Sequence, residues 1–166
     1  TYALVSYQTA YLKAHYPHAF FAATMTLDMG NTDKLNEFRQ DAKRHGIELV
    51  PPCVNRSMAV FDTRDGKVFY AIGAVKGVGM AVAEHIVEAR AARPFKDLGD
   101  FASRVDARIM NRRTLEALIN AGAFDQLAPR REQAFAAIDS IVETAQRTNA
   151  NAADGIVDMF ASAEPE

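Results

Sequence analysis

Apolar residues recur with helical spacing over most of the chain, and the exceptions fall in one central stretch. Leu4, Tyr7, Tyr11 and Leu12 stand at i, i+3, i+7 and i+8, which predicts a helix from Leu4 to Tyr16. Pro17 ends it or opens the next, an apolar segment from Ala19 to Leu27. Met29-Gly30-Asn31 breaks that helix, and Asn31 or Thr32 is placed to cap a third running to about His45. Its inner stripe is Leu35, Phe38 and Ala42, with Lys34, Glu37, Arg39, Gln40, Asp41, Lys43 and Arg44 mostly outside. Helical spacing assigns Tyr7 and Tyr11 to core packing; stacking on bases beside Lys13 and His15 is the alternative.

The middle changes period. Ile47 to Val50 reads as a short strand ended by Pro51-Pro52. Met58 to Asp62 and Lys67 to Ala71 flank Arg64-Asp65-Gly66, whose Asp-Gly step signals a hairpin. This β element is expected to pack beside a helix leading into Lys76-Gly77-Val78-Gly79. Around that turn the apolar positions are ordered: Ile72 and Val75 before, Val78 inside, Ala83, Ile86 and Val87 after. That is the pattern of a helix-hairpin-helix, in which one apolar residue plugs the space between two short helices.

Helical spacing then resumes. A helix runs from Gly79 to about Arg90, and Asp97 caps a short one reaching Arg104. Asn111 caps another, with Leu115, Leu118 and Ile119 on one face. It ends in Ala121-Gly122-Ala123-Phe124-Asp125, a second turn with a glycine and an apolar plug. Phe124 stands where the first unit has its second glycine. Arg130 to Gln146 reads as one amphipathic helix with Ala134, Ile138, Ile141 and Ala145 in register. From Asn149 periodicity is lost, and a flexible tail is expected, interrupted by the acidic-apolar island Ile156 to Phe160. The fold class is therefore mainly α with a small β element.

Composition narrows the function. The chain has 166 residues, 49% of them apolar, enough for one domain or two small ones. Its net charge of −2 conceals a polarity. Residues 76–131 carry 10 Lys/Arg against 7 Asp/Glu, and residues 132–166 carry 1 against 7. The hairpin region is the basic part, so a local, salt-sensitive grip on nucleic acid is expected. No apolar run approaches the ~20 residues of a membrane span, and the single Cys53 permits no internal disulfide. A cytoplasmic chain without membrane contact is expected. Thr1 and Glu166 read as arbitrary ends, which suggests a piece of a larger protein.

Candidate chemistry centres on phosphate. Amides around Gly77, Val78, Gly79 and Met80 can face one phosphate at a helix start, with Lys76 adding a formal charge. Gly79 is expected to need a positive φ or a close approach of the ligand. Gly122, Arg112, Arg113, Arg130 and Arg131 are candidates to extend the grip, which would position a backbone without reading sequence. No catalytic site is recognised. His15 and His18 lack partners for a metal site, Cys53 has no base placed beside it, and Asp97 and Asp100 read as a cap and a surface charge.

With these residues in hand, the chain resembles the bacterial DNA polymerase III alpha subunits, the C family of replicative polymerases. Ser6 to Pro17 and Pro51-Pro52-Cys53-Val54-Asn55 are similar to the family's fingers segment, where the position of Cys53 often holds Asp. Tyr70 to Gly79, Asn111-Arg112-Arg113 and Ala121 to Asp125 are similar to the hallmarks of its tandem helix-hairpin-helix domain. The resemblance implies the end of the fingers at residues 1–70, a duplex-DNA-binding domain at 71–147, and a tail at 148–166. It implies a DNA-directed DNA polymerase whose catalytic aspartates and Mg ions lie in a palm outside this chain, which itself has no cofactor. It also implies a clamp-binding peptide at Ile156, Asp158, Met159 and Phe160, where Ile156 replaces the family's Gln and removes its side-chain amide. Two other readings are a helix-hairpin-helix module of a repair nuclease or ligase, and a protein-interaction scaffold.

Overall fold

The computed structural model describes residues 2–153, with the side chains of 151–153 left aside. Three helices come first: α1 (Tyr2–His15), α2 (Pro17–Leu27) and α3 (Thr32–Arg44). The side chain of Asn31 accepts from the Lys34 amide and starts α3 as its spacing predicts. A three-stranded sheet follows, in the order β1 (Leu49–Val50), β3 (Lys67–Phe69), β2 (Asp62–Arg64). β1 runs parallel to β3, and β2 pairs antiparallel with it. Asp65 at φ 53° and Gly66 at φ 70° connect β2 to β3, the two left-handed residues that a type I′ hairpin requires.

One 3₁₀ turn, Ile72–Ala74, precedes α4 (Met80–Ala89), α5 (Leu98–Arg104) and α6 (Arg112–Asn120). The predicted caps are present: Asp97 accepts from the Asp100 amide and Asn111 from the Thr114 amide. α7 (Arg131–Ala136) and α8 (Ile138–Ala153) complete the described chain.

Two apolar cores are formed. The smaller gathers Phe21, Met25, Leu35, Ala42, Ile47, Phe61 and Val68 from α2, α3 and the sheet. The larger joins Val54 to Ile72, Val75, Val78, Ile86, Phe101, Leu118 and Phe124, and continues through Ala134, Ile138, Ile141 and Ala145. Phe95, Phe101 and Phe124 stack edge to face at its centre, with successive centroids 5.0 and 4.9 Å apart.

Five expectations need correction. The apolar face of α1 is not core: Leu4, Tyr7, Tyr11 and Leu12 are exposed, because among the described residues α1 packs chiefly on α2. Lys13 holds it there, 2.7 Å from an Asp41 oxygen, and the Lys13 hydrogen bond lowers that carboxyl's pKa. The β element packs on α2 and α3, and its first hairpin strand is Asp62–Arg64 rather than Met58 to Asp62; the Met58 and Ala59 carbonyls instead accept from the Ile72 and Gly73 amides of the element leading into the first turn. That leading element is a single 3₁₀ turn, too short to be called a helix. The helix from Arg130 is interrupted at Ala137, which divides it into α7 and α8. Helix continues past Asn149 to Ala153, because Asn149 is tied through Nδ2 to Asp106 at 3.0 Å. The island at Ile156 to Phe160 lies outside the described residues.

Candidate nucleic-acid interface

The first turn is built by one hydrogen bond and one glycine. The Val78 amide donates to Val75 O at 2.9 Å, and Gly77 takes φ 91°. Lys76 has negative φ, so the four residues Val75–Val78 make a type II turn, whose third position favours glycine. Val78 turns its side chain into the larger core, where it is 6% exposed, and so acts as the expected plug. Lys76, Gly77, Gly79 and Met80 stay at the surface.

Helix α4 begins at once, with Gly79 as its N-cap and no side-chain cap. Helices α3, α5 and α6 each satisfy an early amide with the side chain of Asn31, Asp97 or Asn111. α2 and α7 also lack a side-chain cap, but α2 opens on Pro17, which has no amide N–H, and Glu132 supplies negative charge in the first turn of α7. The first turn of α4 holds no acidic residue. Among the described residues the amides of Gly77, Gly79 and Met80 have no hydrogen-bond partner, whereas the Val78 amide is committed to the turn. The amides left free at this turn are therefore those of Gly77, Gly79 and the start of α4, not that of Val78.

Gly79 corrects another expectation. Its φ is −77°, and an added Cβ would have nothing within 4 Å. Neither conformation nor internal packing requires glycine there. Gly77 is the residue that the turn needs.

The second turn closes differently. Gly122, at φ 80°, donates to Ile119 O at 2.9 Å, and Ala123 donates to Leu118 O at 2.9 Å. These two bonds form a Schellman motif at the end of α6, with Ala123 and Leu118 both buried. Phe124 follows into the core at 1% exposure. Arg131 folds back over the turn, its Nε and Nη2 lying 2.9 and 2.8 Å from the two Asp125 carboxylate oxygens. A Cβ on Gly122 would lie 2.6 Å from Arg131 Nη2 and 2.8 Å from Asp125 Oδ2. Arg112 is likewise engaged, by Glu116 and Asp139. Their hydrogen bonds to carboxylates raise the pKa of both arginines. Lys76, Arg113 and Arg130 form no ion pair among the described residues, and Lys76 and Arg113 line one hollow of about 620 Å³.

The loop from Pro51 to Asn55 joins the sheet to the hairpins. Asn55 Nδ2 donates to Phe95 O at 2.9 Å, and its Oδ1 accepts from the Phe95 amide at 2.8 Å. The Val54 amide donates to Ala123 O at 2.9 Å, and buried Cys53 Sγ lies 3.1 Å from Gln126 Oε1. Arg90, at the end of α4, donates to the carbonyls of Val54 and Ser57, and burial lowers its pKa. The only signal in the chain was the side-chain type of Asn55, which pairs with backbone both ways.

Asp100 is not a surface charge. Its carboxylate accepts from Arg93 at 2.7 and 2.8 Å, from Arg104 at 3.2 Å and from the Lys96 amide at 3.0 Å. Chiefly the Arg93 hydrogen bond, then the Lys96 amide and the two arginine charges, hold its pKa down to about 2. Among the described residues no three His, Cys, Asp or Glu side chains converge to hold a metal. No helix among them is long and apolar enough to cross a membrane.

A family model for the helix-hairpin-helix motif matches residues 46–134, which takes in both turns and the loop carrying Asn55. This chain belongs to the helix-hairpin-helix family. It is also similar to curated proteins named DNA polymerase III subunit alpha. It is 47% identical over 162 residues to the one from Caulobacter vibrioides (strain NA1000 / CB15N), covering 97% of this chain and 14% of that protein. Identity is 48% over 165 residues with that of Neisseria meningitidis serogroup B, covering 98% and 14%. With that of Escherichia coli (strain K12) it is 43% over 169 residues, covering 99% and 15%. The chain thus spans about one seventh of the length of these relatives, and the resemblance read from its motifs extends along nearly all of it.

Proposed function

We propose that this chain holds the backbone of duplex DNA, without reading its sequence, as part of a replicative DNA polymerase. The observation that carries the reading is the start of α4: a glycine N-cap, partnerless amides at Gly77, Gly79 and Met80, and the uncommitted Lys76 beside them. A phosphate there accepts from amides that the chain itself does not satisfy, at the end of a helix where partial positive charge gathers. Arg113 and Arg130 extend the contact; Gly122, Arg112 and Arg131 contribute less, because their polar groups already have internal partners. Residues 71–147 form the DNA-holding part, with the loop around Asn55 as its strut. The relatives' shared name supports DNA synthesis as the setting. Nucleotidyl transfer with Mg ions is assigned to other parts of such a polymerase, of whose length this chain spans about one seventh.

Anisotropy of labelled duplexes, titrated with salt, tests this. Two unrelated sequences bind equally, and Lys76→Glu lowers the slope of log affinity against log salt by about one unit. A slope unchanged in Lys76→Glu overturns the phosphate grip.

The sliding clamp is proposed as a second partner through Met159 and Phe160, whose apolar side chains suit a hydrophobic groove. Phe160→Ala then abolishes clamp capture by the chain; undiminished capture removes that partner.

A further inference from the structure

Three hollows adjoin one another beside the first turn. The one of about 620 Å³ between Lys76 and Arg113 shares Thr32, Pro52 and Tyr70 with a second of about 530 Å³. The second shares Asn36, Arg39 and Leu49 with a third of about 370 Å³, which also reaches Lys43. Together they make a groove that leaves the hairpin, passes Tyr70 and the two prolines, and follows α3.

The charges along it are unbalanced. Lys76, Arg113, Arg39 and Lys43 form no ion pair among the described residues. Three carboxylates face the same hollows: Glu116, Asp33 and Glu48. Glu116 is neutralised by Arg112 at 3.0 Å, and Glu48 by Lys67 at 2.9 Å, both cations lying outside the groove. Only Asp33 remains uncompensated against four cations. Between the cations, Pro51, Pro52, Leu49 and half-buried Tyr70, which feels the Arg39 charge, give apolar and aromatic surface, interspersed with neutral polar Thr32, Asn36 and Gln40.

We infer that this groove, running from Lys76 and Arg113 to Arg39 and Lys43, binds a single strand of DNA. Spaced cations along a concave track with apolar and aromatic platforms between them suit a strand whose bases are free to turn inward. A duplex presents its phosphates on a convex cylinder and meets the protruding turn at Gly77 to Met80 instead. The inference goes beyond the hairpin's grip on duplex and uses two residues of α3 that the grip does not.

The test compares the 166-residue chain with its Arg39→Glu/Lys43→Glu variant, both sites being exposed on α3. The probes are a dT oligomer of about 16 nucleotides and a blunt duplex of about the same length. The double variant is expected to bind dT about tenfold more weakly, with a salt slope smaller by about 1.4, while duplex affinity is unchanged. Arg39→Gln/Lys43→Gln, with unaltered circular dichroism, shifts dT binding the same way by a smaller factor. Unchanged dT affinity and slope in both variants overturn the inference. An equal loss for dT and duplex also overturns it, because the groove then holds duplex. Lys76→Glu, at the end shared by groove and hairpin, is expected to weaken both probes, so only the α3 variants separate the groove from the hairpin's duplex grip.

Discussion

In the first hairpin, the turn at Val75 to Val78 leaves its outward amides without partners among the described residues; in the second, the turn at Ala121 to Asp125 pairs every amide except that of buried Phe124 and covers itself with Arg131. Both place a glycine at positive φ, and both send apolar side chains, Val78 and Phe124 among them, into the same core. The chemistry diverges at the residue after the plug. Gly79 starts α4 directly and adds no side chain between its helix end and solvent. Asp125 instead brings an anion of its own, and Arg131 answers it. A helix-hairpin-helix can therefore be kept for its packing while its anion site is filled from within. On the proposed reading, the two hairpins divide those tasks.

Substitutions at the glycines separate the two roles. Gly122→Val forces a branched side chain into a left-handed backbone and against Arg131 and Asp125, which breaks the Schellman closure. We expect a loss of about 2–4 kcal/mol in unfolding free energy, read by urea denaturation. A smaller effect comes from Asp100, which fastens the segment after α4 through Arg93 and Arg104. Its folded pKa is depressed, so its contribution is complete above about pH 4 and disappears as pH falls toward about 2. Asp100→Asn lowers stability at pH 7 by about 1 kcal/mol and flattens the dependence of the melting temperature on pH over that acid window. Gly79→Val has the smallest effect on stability, within about 0.5 kcal/mol, because its φ is ordinary and the space beside it is open. The same variant weakens duplex binding by keeping the phosphate away from the α4 amides. A large loss of stability in Gly79→Val would show that the glycine serves the fold instead.

Local rules were readable wherever both partners are close in the chain. Asn31, Asp97 and Asn111 cap their helices three residues ahead, and Asp65-Gly66 makes its hairpin within four residues. The register of Ala134, Ile138, Ile141 and Ala145 survived the interruption at Ala137, because the break shifts the helix too little to turn that face away from the core. Pairings across distance were not readable. Asn55 and Phe95 are 40 residues apart, and nothing in the sequence signals their mutual hydrogen bonds. The fates of Arg112 and Arg131 depended on Asp139 and Asp125 being brought near them by packing. The apolar stripe of α1 illustrates the converse limit, since periodicity shows that a face is made for burial without showing what covers it. The first turn was found by its glycines, but which glycine matters for the backbone became visible only in the dihedral angles of Gly77 and Gly79.

The division of tasks between the two hairpins can be measured residue by residue with amide chemical shifts of the labelled chain during titration with a blunt DNA duplex. The account predicts that Gly77, Gly79, Met80 and Ala81 shift together and saturably, and that raised salt reverses the change, while Gly122 and Ala123 stay in place. Shifts centred on Gly122 and Ala123, with Gly77 to Ala81 unmoved, would contradict it.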